Sequence, residues 1–302
     1  MTNDRTTVQI LTGPTASGKT AHALAWAKRE NGLIVNADSQ QVYQEIPILS
    51  AQPSPEEQKQ AEHRLYGFLP ITEVYSAKQW RDDALEAIIE AQSKNRPVML
   101  VGGSGFYIKA LIEGLSPIPD ISLRQKHDTT ALFKSLGPQA FHEELKTIDP
   151  SAAERIHPND RQRATRAWDV YQATGKSLSD WQSEPLITPP ADLFFEITVL
   201  MPERKTLYTR INNRFELMMK AGAMAEIKHI NALDPDPLLP AIKACGIPEL
   251  RAALKGDIEL DKAVQQAKQS SRNYAKRQFT WFRHQLAAGS KETNYSVHHI
   301  KS

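Results

Sequence analysis

The sequence of 302 residues holds a single cysteine, Cys245, so it can form no intrachain disulfide and no cysteine-cluster zinc site. Its nine histidines include no H-E-x-x-H or similarly close pair suited to a metal, and His298–His299 fall in a polar tail. No apolar run approaches bilayer-spanning length, and the opening "MTNDRTTVQI" lacks the charged-then-apolar order of a secretory signal. These absences predict a soluble, cytoplasmic protein without structural metal. Neither sign of charge dominates: 37 Lys and Arg stand against 35 Asp and Glu, for a net charge of +2. A nucleic-acid partner would therefore have to meet local basic faces. There is no internal repeat or low-complexity stretch. With 40% apolar and 24% charged residues the composition is that of a globular protein, and the length suits one large domain plus a smaller one.

What is present begins with "GPTASGKT" at residues 13–20, which fits G-x-x-x-x-G-K-[ST] at Gly13, Gly18, Lys19 and Thr20. In this motif glycines let the backbone curl so that successive N–H groups face an anion, the lysine reaches the outer phosphate, and the threonine hydroxyl ligates Mg²⁺. Its surroundings suit it. "TTVQIL" (6–11) alternates like a strand, and "KTAHALAWAKRE" (19–30) reads as a helix whose N-terminus faces the loop.

Strand-like and helix-like segments alternate through the first third. "GLIVNAD" (32–38) and "PVMLVGG" (97–103) read as short buried strands. "YSAKQWRDDALEAIIEAQSKNR" (75–96) reads as an amphipathic helix with a capping box at Ser76 and Gln79, and "FYIKALIEGL" (106–115) as another helix. This alternation predicts an α/β fold: a P-loop NTPase-like parallel sheet flanked by helices. From "SPIPDIS" (116–122) to the proline-rich "SEPLITPPADL" (183–193) no strand is legible. "FFEITVLM" (194–201) restores strand character, and helices follow to about residue 287. The expected division is a core of 1–119 and 193–302, an all-helical insertion domain at 120–192, and a loose end over the last dozen residues.

One further absence bears on chemistry. NTP-hydrolysing P-loop proteins carry an acid at the end of a second core strand, where it helps hold Mg²⁺. Here "VMLVGG" ends in glycines and Ser104. The strand-end acid is instead Asp38, which should face the same crevice as Lys19, although the position also suits a turn cap. Ser104, in the glycine turn "GGSGFY" (102–107), offers a hydroxyl to a phosphate oxygen. Arg210 and Arg214 share a helical face. Solvent exposure is the ordinary reading of such a pair, and a phosphate clamp the sharper one.

"SRNYAKRQFTWFRH" (271–284) contains no acid. As a helix it sets Arg272, Lys276 and Arg283 in one stripe beside an apolar stripe of Ala275, Phe279 and Phe282, with Arg277 turned towards Tyr274 and Trp281. A core-docked helix with a basic edge suits a polyanion. A second basic cluster, Arg161, Arg163 and Arg166, falls in the insertion, so two positive surfaces on separate domains are expected to hold something large and anionic.

Taken together, "GPTASGKT", "DSQQVY", "YSAKQWRDDA", "VGGSGFYIKALIEGL", "RIHPNDRQRATRA" and "YAKRQFTWFR" resemble the tRNA dimethylallyltransferases, also called tRNA isopentenyltransferases, of the bacterial type, nearly end to end. The resemblance implies transfer of a dimethylallyl group from dimethylallyl diphosphate to the exocyclic N6 amine of the adenosine 3′-adjacent to the anticodon in certain tRNAs. It implies Mg²⁺ as cofactor, the anticodon arm of tRNA as partner, no membrane, and a monomer. Gly13, Pro14, Thr15, Ala16, Ser17, Gly18, Lys19 and Thr20 would hold a diphosphate leaving group rather than a triphosphate, with Thr20 on the metal. Lys19 and Arg214 would stabilise the departing charge, Asp38 would take the amine proton, and Ser104 would assist. Ser39, Gln40 and Gln41 would continue the substrate-contacting stretch begun by Asp38. Gln162, Arg163, Ala164, Thr165 and Arg166 would contact tRNA. So would the turn Lys243, Ala244, Cys245, Gly246, Ile247 and Pro248, and the helix residues Lys276, Arg277 and Arg283.

Two positions depart from the family's pattern. Ser104 stands where threonine is usual, which keeps the hydroxyl but loses the methyl that restricts its rotamers. Ile247 and Pro248 replace an aromatic and a basic residue, which leaves backbone contacts from that turn more readily explained than side-chain ones. The zinc finger that eukaryotic relatives append has no counterpart in a chain with one cysteine. The rival readings are a small-molecule kinase of the P-loop class, an isopentenyltransferase acting on free adenine nucleotides, and a nucleotide-switched binding protein. The first leaves the acid-free basic helix unexplained, the second the insertion and both basic clusters, and the third Asp38 with the arginine pair.

Overall fold

The computed structural model describes residues 5–286 and 294–300. In chain order the first compact unit begins with β1 (Thr6–Thr12), α1 (Lys19–Glu30), β2 (Leu33–Asn36), α2 (Pro55–Gln58), β3 (Glu62–Arg64), α3 (Ala77–Ser93), β4 (Val98–Gly102) and α4 (Gly105–Ile112). Four helices of the second unit follow: α5 (Leu123–Ile148), α6 (Pro150–Arg155), α7 (Arg161–Thr174) and α8 (Leu178–Ser183). The chain then returns to the first unit with β5 (Leu193–Leu200), α9 (Arg204–Ala221), α10 (Ala223–Leu233), α11 (Ile247–Lys255), α12 (Leu260–Gln285) and β6 (Tyr295–Ile300).

The sheet runs β3-β2-β4-β1-β5-β6, and every pairing in it is parallel. β2 and β4 are buried at every residue, as strands covered by helices on both faces must be. The four strands expected from apolar patterning are its central ones. The edges were not legible. β3 has only three residues, all polar or charged and none fully buried. The loose end expected over the last dozen residues is corrected from 294 onward: Tyr295–Ile300 pairs along Phe195–Leu200 and extends the sheet by one strand. β6 is half-exposed to exposed throughout, so it has no apolar face to announce it. It satisfies the backbone groups that β5 would otherwise leave open. The remaining positions of that tail, 291–293 and 301–302, lie outside the described residues.

The compact units are Met1–Ile112 with Pro189–Ser302, and Glu113–Thr188. In the second unit the entering and leaving chain segments pair through Leu115 and Ile187 as an antiparallel bridge. Its core gathers Phe133, Phe141, Leu145, Ala152, Ala153, Ile156, Ala164 and Ala167. The buried carboxylate of Asp149 accepts from Ala152 N–H at 2.9 Å and Ser179 N–H at 3.0 Å, which ties two helix starts together. α5 breaks at Gly137, whose φ of 76° no helix accommodates, just before Pro138.

Candidate active site

The loops after β1, β2 and β4 leave the carboxyl end of the sheet side by side, the crevice where open α/β sheets take ligands. The loop after β1 turns at Gly13, φ +146°, where a Cβ would lie 2.4 Å from the carbonyl oxygen of Leu200. Only glycine fits there. The loop runs into α1, whose first residue is Lys19. Lys19 Nζ donates to the carbonyls of Gly13 and Pro14, both at 3.0 Å. Burial pulls its pKa from 10.5 down to about 8, with Asp38 opposing the shift and Arg214 adding to it. Ser17 is 2% exposed, and its Oγ has no hydrogen-bond partner among the described residues. A buried hydroxyl without an acceptor is costly in an empty loop and useful in one built for an anion.

Asp38 is set by Asn36, the last residue of β2. The fully buried Asn36 accepts from Asp38 N–H at 2.8 Å and donates to the carbonyls of Asp38 and Leu65, both at 2.9 Å. Its own carbonyl accepts from Trp80 Nε1 at 2.7 Å. One carboxylate oxygen of Asp38, Oδ1, accepts from Gln40 N–H at 3.0 Å, so the residue does cap its turn. The other, Oδ2, lies 3.4 Å from where a Cβ on Gly103 would sit. Ser104 Oγ accepts from Ser39 N–H at 2.8 Å and donates to Ser39 Oγ at 3.2 Å, which joins the second turn to the stretch after Asp38.

Helices α9 and α12 supply the rest. Arg214 Nη2 donates to Thr15 Oγ1 at 2.6 Å. Thr15 N–H donates to Gln278 Oε1 at 2.9 Å, and Gln278 Nε2 donates to Gly103 O at 2.8 Å. Between these groups lies a cavity of about 230 Å³. Thr15, Asp38, Ser39, Gln40, Arg214, Lys243, Ala244, Cys245 and Arg277 line it, together with an apolar wall of Leu49, Ile211, Phe215 and Met218. Glu226 holds the turn that carries Leu49, accepting from Ile48 N–H at 2.6 Å and Leu49 N–H at 3.0 Å. Ser50, Ser271 and Tyr274 complete the lining, and the Tyr274 phenol is held well above the ordinary range by burial first and Asp38 second.

Other expected residues lie elsewhere. Arg210 is exposed, so of the arginine pair only Arg214 reaches the loop. Gln41 does not line the cavity; its amide donates to the carbonyls of Ser50 and Ala51 at 3.1 and 2.6 Å and so braces the cavity's rim. Gly246, φ +96°, caps α11, Ile247 is fully buried in the core, and Pro248 follows in the first turn. Lys276 and Arg283 are exposed on α12, and Lys276 shares an open depression with Arg277, Trp281 and His284. Arg272 is not a free member of the basic stripe, because it donates to Asn212 and Gln269. Phe279 is half-buried beneath the guanidinium groups of Arg204 and Arg283. In the second unit Gln162, Arg163 and Arg166 are exposed near the start of α7, Thr165 is half-buried, and Ala164 is core.

Asn36, Glu226, Tyr274 and Gln278 carry no functional signal in the sequence that singles them out. Only Gln278 leaves a trace: it falls on the inward face of the acid-free helix with Ser271, Ala275 and Phe282.

A glycine loop with no acid at the end of β4, beside a cavity that holds a carboxylate, an arginine and an apolar wall, has the parts of a transferase site. The family model described as IPP transferase matches residues 41–285. The tRNA dimethylallyltransferase of Rhodospirillum centenum is 46% identical over 284 residues, covering 94% of this chain and 90% of the relative. That of Nitrobacter hamburgensis is 44% identical over 279 residues, covering 92% and 87%. Among solved structures, the tRNA isopentenylpyrophosphate transferase of Bacillus halodurans is similar with a TM-score of 0.64 and 32% identity, over 98% of this chain and 90% of its own. A eukaryotic dimethylallyltransferase acting on tRNA gives a TM-score of 0.75 at 26% identity, over 91% of this chain and 69% of its own. The chain belongs to the tRNA dimethylallyltransferase family.

Proposed function

We propose that this protein transfers a dimethylallyl group from dimethylallyl diphosphate to the exocyclic N6 amine of the adenosine 3′-adjacent to the anticodon in certain tRNAs. The observation that carries the reading is the single cavity shared by Thr15 of the phosphate loop, Asp38, Arg214 and the apolar wall. The diphosphate lies on Gly13–Thr20. As the allylic carbon–oxygen bond breaks, its electron pair leaves with the diphosphate, and Lys19 and Arg214 stabilise the growing negative charge. The adenine amine forms the new bond to that carbon, and its proton passes to Asp38. Leu49, Ile211, Phe215 and Met218 give the five-carbon group an apolar surface and keep water from the cation-like carbon.

We assign Mg²⁺ to the loop that ends in Lys19 and Thr20, on the motif whose hydroxyl ligates that ion. Among the described residues no group of three or more His, Cys, Asp or Glu is placed to hold a metal. Mg²⁺ keeps several waters and binds chiefly through substrate phosphates, so beside a diphosphate it would need few protein ligands. Thr20 would hold it through its hydroxyl, and the ion would supply positive charge beside the diphosphate.

The base must leave its stack to enter a cavity of this kind. Lys276, Arg277 and Arg283 on α12, the turn at 243–248 and the basic start of α7 are the surfaces we assign to the anticodon arm. We take a monomer as the working unit. Among the described residues no helix is long and apolar enough to cross a membrane. We assign the reaction to the cytoplasm, where its tRNA substrate resides.

The test is incubation of the purified protein with labelled dimethylallyl diphosphate, Mg²⁺ and bulk tRNA, followed by digestion to nucleosides. Label in an N6-substituted adenosine supports the reading. With AMP added to the same mixture, unlabelled tRNA beside labelled AMP would replace it with the free-nucleotide isopentenyltransferase.

A further inference from the structure

Helix α12 reaches the phosphate loop through one side chain. Gln278 is 6% exposed, and its amide makes the two bonds already described, to Thr15 N–H and to Gly103 O. Only one orientation of the amide satisfies both partners, since a backbone N–H must donate and a carbonyl must accept. The approach is close: a Cβ on Gly103 would lie 2.4 Å from Gln278 Nε2 and 3.4 Å from Asp38 Oδ2. One amide therefore ties the loop after β1 to the turn after β4, and that turn backs the carboxylate of Asp38.

Thr15 is held from its other side as well, where its hydroxyl accepts from Arg214. With its N–H given to Gln278, the position of Thr15 is fixed by two helices before any phosphate arrives. In the transfer reading, the loop carries the leaving group while Asp38 serves the attacking amine. The reacting atoms must meet in line, so the spacing of these two elements sets the rate, and an error of about 1 Å costs on the order of 10²-fold.

We propose that Gln278 is a positioning residue of the transfer reaction. It fixes the separation between the phosphate loop and the Gly103 turn, and thereby the distance between leaving group and proton acceptor. This role rests on the function proposed above.

Two variants test it. Gln278→Met keeps the length of the side chain and removes both bonds. Gln278→Glu keeps an acceptor for Thr15 N–H but, when ionised, sets a carboxylate against the carbonyl of Gly103. Each is measured for kcat, for KM with both substrates, for affinity towards inorganic diphosphate and for melting temperature. The expected result is a kcat lowered about 10- to 100-fold in both variants, with the tRNA KM within about twofold of wild type. Gln278→Glu should also bind inorganic diphosphate more weakly. As pH falls, Gln278→Glu should recover relative to wild type, because the protonated carboxyl again donates to Gly103 O while accepting from Thr15 N–H. Gln278→Met should show no such recovery, and a loss of packing alone would not separate the two variants in this way. A kcat within about twofold of wild type in both variants, or a Gln278→Glu defect indifferent to pH, would overturn the proposal. A wild-type protein that forms no prenylated tRNA would overturn the transfer reading and this role with it, whereas active variants beside an active wild type overturn this role alone.

Discussion

Arg214 and Thr15 lie 199 positions apart, and the guanidinium of one donates to the hydroxyl of the other at 2.6 Å. The bond brings a permanent positive charge from α9 onto the rim of the phosphate loop. Arg214→Ala should lower transfer by about 10²- to 10³-fold, the loss typical of one preorganised donor. Arg214→Lys should restore only part of it, because an ammonium keeps the charge but not the planar fork. Single-turnover rates on preformed tRNA complexes check this. Equal activity of Arg214→Ala and wild type would reduce the bond to a structural tie.

Asp38→Asn should leave the turn intact, since an amide oxygen can still accept from Gln40 N–H in place of Oδ1. What it removes is the proton acceptor proposed above. Transfer should fall about 10²- to 10⁴-fold while tRNA and diphosphate affinities hold. A chemical step close to the wild-type rate would mean that the amine proton leaves by another route.

The ammonium of Lys19, with its pKa brought down to about 8, should make diphosphate binding depend on pH. Diphosphate favours the charged form, so binding raises this pKa and takes up a proton near pH 8. Affinity should fall as pH rises through that value. Comparison with Lys19→Ala by calorimetry separates the lysine from the ligand's own titration. The free protein should show the reverse trend. Between pH 8 and 10.5 the unfolded chain binds more protons at this site than the folded one, so the lysine's contribution to stability rises with pH.

The local parts of this molecule are legible in the sequence, and the parts assembled across long distances are not. The strand, glycine loop and helix of residues 6–30 can be read because they are consecutive and each obeys its own pattern. The central strands can be read because burial on both faces makes them apolar throughout. β3 and β6 cannot, since edge strands with exposed residues lack that signal. In the site, topology alone places Asp38 and Lys19. It does not place Gln278, because an uncharged side chain inside a basic helix gives no hint of a partner 263 positions away. The turn at 243–248 divides in the same way: Lys243, Ala244 and Cys245 line the cavity, while Ile247 serves the core.

The basic edge of α12 should bind RNA backbone more than any base. Removing one phosphate-binding cation should lower the salt slope of tRNA binding by roughly 0.7 to 0.9. The Lys276→Ala, Arg277→Ala, Arg283→Ala triple variant should therefore bind tRNA more weakly and with a shallower slope. Arg277 also lines the cavity, so Arg277→Ala alone should slow transfer as well. Unchanged affinity and slope in the triple variant would return this helix to an ordinary solvated face.

The central claim is that the loop at Gly13–Thr20 holds a departing diphosphate and not a triphosphate to be cleaved. The most direct measurement follows both products when the protein is given dimethylallyl diphosphate, tRNA and Mg²⁺ without ATP. Prenylated adenosine and inorganic diphosphate should appear in equal amounts, with inorganic diphosphate acting as a competitive inhibitor against the donor. ATP should bind weakly at most and not be hydrolysed at a useful rate, because β4 ends at Gly102 and runs into Gly103 and Ser104, so the strand carries no acid of its own to hold a metal. Tight ATP binding with phosphoryl transfer that ignores tRNA, and no prenylated product, would contradict the account and make the protein a kinase.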